Sequence, residues 1–382
     1  MSLTKSFAEI NDKITRGEAV VLTAEEFKGM ARNTTPQELV KKVDVVTTGT
    51  FGPMCSSGAF INFGHSQPPI RMEKITLNDV PVFSGVAAVD AYIGATEVSP
   101  GNERYGGAHI IEELIAGKDI RLKAIGKGTD CYPRKEIETI INKETVNEFF
   151  MFNPRNAYQN YAAAVNSTNK IKYTYMGSLL PNLGNMTYST SGELSPLLND
   201  PDFRTIGIGT RIFLGGTEGF VAWNGTQFNT SKPKNDFGVP TSNAATLAVI
   251  GNAKDMSTEF IRAAYYEKYG VSIFVGIGIP IPVLDEEIAL QLCITNDRIE
   301  THIVDYGIAE HPPLGKANYQ QLQSGSIELN GKKIKTAPLS SMFKAREIAA
   351  LLKTWILKNE FQLTEPVQLF PRNTTLNSLK IR

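Results

Sequence analysis

From about Asn153 to Asn243 the chain carries no helical period. Asn, Ser, Thr, Gly and aromatic residues crowd this stretch, and only short β-like runs such as "IKYTYMGSL" and "GFVAWNGTQ" interrupt them. Turn-forming residues at this density cut a chain into short extended pieces that cannot bury a core of their own. The flanks must supply it. Both flanks alternate helical and extended patterns, so the fold class is mixed α/β: a sheet-containing core with flanking helices and a loop-rich, β-biased middle.

The flanks can be read element by element. Residues 1–42 read as helical: Leu3, Phe7, Ile10 and Ile14 repeat at helical spacing, Thr23 and Glu26 form a capping box, and Thr35-Pro36 opens a further helix. "KVDVVTTGTF" reads as a buried strand entering a glycine turn, and "PVFSGVAAVDAYIGATEVS" as a strand and loop. "YGGAHIIEELIAGKDI" predicts a helix stopped by Gly117. "IRLKAIGKGTDCYPRKEIETIIN" predicts a strand, a turn and a further element with Cys131 at its start. Beyond the middle, "ATLAVIGNA" reads as strand, "STEFIRAAYYEKYG" as helix, "VSIFVGIGIPIPV" as strand and turn, and "LDEEIALQL" as helix. "SSMFKAREIAALLKTWILKNEF" is a long amphipathic helix capped by the preceding "PLSS".

Charge narrows the partners. Lys+Arg and Asp+Glu both number 39, which leaves no global field to gather phosphate, so nucleic acid is not expected. The first twenty residues lack the apolar run of a signal peptide, and no stretch approaches the ~18–20 apolar residues of a membrane span. No membrane association is expected. Three widely spaced cysteines make neither a disulfide framework nor a zinc motif, which fits a reducing cytoplasm. The four histidines have no ligand spacing, so no metal site is expected. "TIGIGTRIFLGG" places Ile212 where a dinucleotide fingerprint needs a small residue, and glycine turns in a sheet explain it better.

The remaining chemistry is thiol chemistry. Cys55 sits in "TTGTFGPMCSSGAFINFGH", where glycines let the backbone turn sharply; a helix opening at "CSSGAF" would add its dipole in favour of the thiolate. The competing reading is a buried, inert cysteine. Cys131 in "GKGTDCYPRKE" has Lys127, Arg134 and Lys135 nearby, which favour a thiolate, and Asp130, which opposes it. Cys293 lies in an apolar run and reads as core. His65 follows the glycine turn as a candidate base, and His109 sits near a helix start where a structural role is as good an account. Two reactive thiols that meet across a cleft could pass sulfur, one carrying a persulfide and the other resolving it.

"TTGTFGPMCSSGAFINFGH", "GTDCYP", "GIGTRIFLGG", "WNGTQ" and "STEFIRAAYYEKYGVSIFVGIGIPIPVLDEEIA" together resemble the homocysteine-biosynthesis proteins of methanogenic archaea and anaerobic bacteria, the L-aspartate semialdehyde sulfurtransferases. The likeness runs from about residue 5 to 360. It implies one catalytic region over 1–382, as a single body or two lobes of about 1–150 and 151–382. It also implies sulfur insertion into L-aspartate semialdehyde from a sulfide source, with Cys55 and Cys131 as the reacting pair. A small zwitterionic substrate calls for charged partners: Arg134, Arg211 and Arg104 are candidates for its carboxylate, Asp130 and Glu218 for its ammonium. No tightly bound cofactor is expected; a separate ferredoxin-like iron–sulfur protein would bring electrons, and a homo-oligomer is anticipated. Many relatives carry CBS modules or a ferredoxin-like segment, and neither is found here. The rival expectations are another thiol enzyme working on an aldehyde or acyl substrate through Cys55 alone, and a non-catalytic binding protein derived from the family.

Overall fold

The computed structural model describes residues 4–380. Leu3, part of the expected first helical stripe, lies outside them. The architecture is mixed α/β, built on a nine-stranded sheet and a second sheet of six strands. Neighbouring strands of the large sheet run in the order Ile261–Tyr266, Gly270–Gly278, Arg211–Leu214, Thr217–Asn224, Leu247–Asn252, Glu148–Asn156, Gly58–Asn62, Asp90–Gly94. The short strand Thr50–Pro53 branches off, pairing with Gly270–Gly278.

That branch forces a curl. The 58–62 strand lies five positions from the 270–278 strand in the sheet order. Laid flat at ~4.8 Å per strand, the two would stand ~24 Å apart. Yet the 50–53 strand, paired directly with 270–278, reaches the 58–62 strand through residues 54–57 alone. Four residues reversing in a turn span less than ~7 Å between their ends. The sheet therefore bends until its second and seventh strands approach.

Helices pack around this curl. Helix Met342–Leu357, capped by Ser341, lays Ile348, Leu352 and Ile356 against Phe213, Phe51 and Phe260, with Ile10 and Ile14 of helix Phe7–Arg16 closing the same cluster. Close approach depends on Gly49, where a Cβ would fall 2.2 Å from the Ala345 carbonyl oxygen. Helix Gly107–Ile115 covers the other side with Ile110, Ile111 and Leu114, and Gly117 follows it in the left-handed region. The capping boxes at Thr23/Glu26 and Thr35/Glu38 form as expected.

Three local expectations are corrected. Within 1–42, Val21–Thr23 is a strand, because it pairs in parallel with Val45–Thr47. "STEFIRAAYYEKYG" is no helix: Ile261–Tyr266 forms a hairpin with Gly270–Gly278, six residue pairs in register. Lys268 and Gly270 at positive φ make the reversal that a helix could not. Finally, "CSSGAF" leads into the strand Gly58–Asn62, so no helix dipole acts on Cys55.

Candidate active site

Cys55 stands at the joint of the curled sheet. Met54 donates its N–H to the Ile273 carbonyl at 2.8 Å, and Ser57 donates back to the Met54 carbonyl at 3.0 Å. Cys55 and Ser56 are therefore the two central residues of a tight turn. Gly58, immediately after it, has no room for a side chain: a Cβ would lie 2.2 Å from the Tyr92 hydroxyl oxygen. The buried hydroxyl of Ser272 donates to the Cys55 sulfur at 3.4 Å. The turn presents the sulfur while its neighbours stay packed.

The sulfur faces a small cavity. Thr50, Ser189, Thr190, Ser195 and Ser340 bring hydroxyls to its wall, Tyr158, Tyr161 and Tyr175 bring phenols, and Met54, Met176 and Leu339 supply apolar surface. Among the described residues no Asp, Glu, Lys, Arg or His lines it. Two non-glycine wall residues, Ala157 at φ 51 and Thr190 at φ 66, adopt the left-handed conformation. Such backbone is disfavoured for these side chains and gathers where a site dictates geometry.

The phenols form a connected group. Tyr161 donates to the Tyr175 hydroxyl at 3.0 Å, and the Tyr175 and Tyr306 hydroxyls are 2.7 Å apart. The Tyr175 ring also meets Tyr269, centroid to centroid at 5.9 Å. Burial first, then the neighbouring phenols, pushes Tyr161 and Tyr306 well above the usual tyrosine range. Burial, followed by the charge of the Cys55 thiolate, does the same to Tyr266 and Tyr269. These side chains stay neutral at physiological pH.

Behind the wall sits an uncommon group. Lys28 is 5% exposed and among the described residues pairs with no carboxylate; its ammonium donates to the Asn199 side-chain oxygen at 2.6 Å. Asn199 in turn donates to the Glu193 and Ser195 carbonyls, both at 2.9 Å, fixing the segment that carries Ser195 to the cavity. Burial pushes the Lys28 pKa down to about 8.

The other residues singled out from sequence lie elsewhere. Cys131 is exposed, next to Tyr132, whose ring stacks on His65 at 6.2 Å. His65 follows the 58–62 strand, whereas Cys55 precedes it, so the two thiols belong to opposite ends of that strand, ~15 Å of extended backbone apart. Whether the two thiols meet was open in the sequence; here Cys131 does not line the Cys55 cavity. Arg134 is engaged by the Pro68 and Gln67 carbonyls at 3.0 and 2.7 Å. Asp130 is exposed beside Cys131. Arg211 and Glu218 pair with each other at 3.4 Å across adjacent strands, and Arg104 lies over the Tyr265 ring. None of the five lines the Cys55 cavity. His109 accepts the Gly106 N–H at its helix start, and Cys293 caps a helix while donating to the Ala289 carbonyl. Among the described residues no group of three or more potential ligands gathers for a metal.

The missed residues are the tyrosines. "AYQNY", "YTY" and "YYEKY" show them in sequence, but only the sheet order brings 158, 161, 175, 266, 269 and 306 together.

A family model described as a homocysteine biosynthesis enzyme for sulfur incorporation matches residues 19–363. The chain belongs to this family. It is a sulfurtransferase, and two relatives bear the name L-aspartate semialdehyde sulfurtransferase. One, from Methanosarcina acetivorans, is 48% identical over 98% of this chain and 74% of its own length. The other, from Methanocaldococcus jannaschii, is 50% identical over 97% of this chain and 74% of its own. A more distant protein from Methanothermobacter thermautotrophicus, 27% identical over 85% of this chain and 73% of its own, is uncharacterized. No solved structure matches this sulfurtransferase. Among its described residues no helix is long and apolar enough to cross a membrane.

Proposed function

We propose that this sulfurtransferase inserts sulfur into L-aspartate semialdehyde to give L-homocysteine, with Cys55 as the sulfur carrier. The observation that carries the reading is the turn that presents Cys55 to a cavity walled by neutral hydroxyl donors. Hydrosulfide opens a Cys55 disulfide: a new S–S bond forms at Cys55, and the other thiol leaves as thiolate. The outer sulfur of the persulfide then adds to the aldehyde carbon. The carbonyl electron pair moves to oxygen, which the Tyr175 hydroxyl receives and protonates, and Tyr306 is placed to return the proton. A second thiolate attacks the Cys55 sulfur, releasing the substrate-bound sulfur and restoring the disulfide. Loss of water and addition of two electrons and two protons complete the thiol. The sum is aldehyde, hydrogen sulfide, two electrons and two protons in, thiol and water out.

Cys131 is the resolving thiol of this scheme, and it enters from outside the cavity, by movement of the 126–135 loop or from a second copy in a homo-oligomer. A ferredoxin-like protein supplies the electrons, and the setting is the cytoplasm. One observation favours a second reading: Cys131 lies away from the cavity, so Cys55 acts alone with an external thiol as its partner. Purified protein given the aldehyde, sulfide and a low-potential reductant separates them. The two-thiol scheme predicts homocysteine, a one-sulfur mass gain on the Cys55 peptide, and severe loss in both Cys55→Ser and Cys131→Ser. A nearly silent Cys131→Ser selects the second reading; no product and no adduct in folded wild-type protein rejects both.

A further inference from the structure

A second pocket has the buried Lys28 in its wall. Glu25, Lys28 and Arg32 line it from helix Ala24–Ala31 and its cap, their spacings of three and four residues setting them on one face. Glu193 enters from the turn Gly192–Leu194, and Cys293, Asn296 and Arg298 from the chain that leaves helix Glu286–Leu292. Two bonds fasten these sides together. The Glu193 N–H donates to the Asn296 side-chain oxygen at 3.0 Å, and the Asn296 N–H donates to the Glu193 carboxylate at 3.1 Å. None of these residues lines the Cys55 cavity.

The cations of this pocket are short of anions. Lys28 is held by a neutral amide, and among the described residues neither Arg32 nor Arg298, both exposed at the rim, forms an ion pair. Arg298 rests on the Phe237 ring, 4.8 Å from its centre. Two of the nearby carboxylates are already engaged: Glu25 pairs with Arg346 at 3.0 Å, and Asp297 accepts the Thr295 hydroxyl. Glu193 is half-buried and, among the described residues, has no ion pair. A buried ammonium without a counter-ion carries a cost that a bound anion relieves. The Glu193 carboxylate alongside it repels a simple anion and attracts a cation.

We propose that this pocket binds a small α-amino acid, its carboxylate toward Lys28 and Arg298 and its ammonium toward Glu193. One amide links the two opposite charges: Asn199 accepts from the Lys28 ammonium at 2.6 Å and donates to the Glu193 carbonyl at 2.9 Å. Asn296 fixes the Glu193 carboxylate from the other side. Opposite charges pinned close together match a zwitterion, whereas a simple anion meets only one of them. The same Asn199 amide holds the carbonyl of Ser195, which lines the Cys55 cavity. The amino acid therefore binds beside the segment that shapes the reaction cavity, outside that cavity and apart from the sulfur chemistry.

The test is calorimetric titration of the full-length protein with L-homoserine and L-methionine, and with inorganic phosphate as an anion that lacks an ammonium. Cys293, a half-buried thiol in the pocket wall, reports occupancy. Its labelling by N-ethylmaleimide, followed by peptide mass, should slow about fivefold under saturating amino acid, with Cys131 labelling within about twofold. Dissociation constants should rise about tenfold or more in Lys28→Met and Glu193→Gln, and severalfold in Arg298→Gln. If Lys28→Met does not fold, Glu193→Gln and the rim variant Arg298→Gln decide. Binding of neither amino acid overturns the site, and so does phosphate binding as tightly as they do. Unchanged constants in Glu193→Gln and Arg298→Gln, or protection of Cys55 in place of Cys293, overturn it as well and put the ligand elsewhere. None of these readouts needs turnover. Failure of the sulfur-transfer reading shows separately, as full activity in Cys55→Ser.

Discussion

Lys28→Met tests a buried ammonium that forms no ion pair among the described residues. Lys28 is buried, its pKa is pushed down to about 8, and its hydrogen-bond partner is the side chain of Asn199. The ordinary value is 10.5, so holding the ammonium in place costs on the order of 3 kcal/mol at neutral pH. The folded protein releases this proton near pH 8, whereas the unfolded chain keeps it to about 10.5. Between those values the unfolded state binds more protons, so stability rises with pH. Below pH 8 both states are protonated and the full cost is present. From pH 7 to 9.5 the gain amounts to ~2 kcal/mol in wild type and vanishes in Lys28→Met. Tyrosines begin to ionise in the unfolded chain within this range, but both proteins share that loss and it cancels in the difference. At pH 7 itself the variant loses the ammonium's cost but leaves the Asn199 oxygen without its donor, worth ~1–3 kcal/mol, so the two proteins come close. Urea unfolding midpoints of both proteins at half-unit pH steps give the difference curve. A flat difference, within ~0.5 kcal/mol over pH 7–9.5, would refute the reasoning about Lys28.

Tyr175→Phe keeps the ring and removes the hydroxyl, so kcat should fall ~10²–10³-fold while the one-sulfur adduct on Cys55 still forms, as read by mass spectrometry of the trapped peptide. Gly58→Ala forces a methyl against Tyr92 and the Ile93 carbonyl, which lies 2.6 Å from the new Cβ. Overpacking of this kind costs ~1–3 kcal/mol in thermal or urea melts, and activity should drop further than stability because the displaced backbone adjoins the Cys55 turn. Arg134→Ala removes the tie to the Pro68 and Gln67 carbonyls but nothing in the Cys55 cavity, so the KM for aldehyde should stay within about twofold. A large rise in that KM would return Arg134 to the substrate.

Much of the local structure was legible. Thr23, Thr35 and Gly117 announce helix ends through short-range chemistry, and the glycine turn around Cys55 follows from residues adjacent in sequence. What was hidden depends on pairing between distant segments. "STEFIRAAYYEKYG" carries apolar residues at helical spacing, and its partner strand, not its own propensity, makes Ile261–Tyr266 extended. The arginines expected to clamp the substrate do not line the Cys55 cavity, for a related reason. Arg134, Arg104 and Arg211 each satisfy themselves locally, on loop carbonyls, on a ring and on Glu218, and turn-rich sequence does not say which cavity a turn faces. The tyrosine group was invisible because its members come from four separate stretches of chain.

The turn at 54–57 resembles the clasp of a belt. Met54 ties the turn directly to the Gly270–Gly278 strand, while its far end enters Gly58–Asn62, whose place is the running total of the strand-to-strand offsets between them. Each step contributes ~20–25° of twist, so a small change repeated or enlarged at one step is carried to the thiol. The irregular pairings between Val221 and Trp223 and between Asn153 and Asn156 are the points of slack in that circuit. Substitutions there can shift the far end of the Cys55 turn without touching the turn itself.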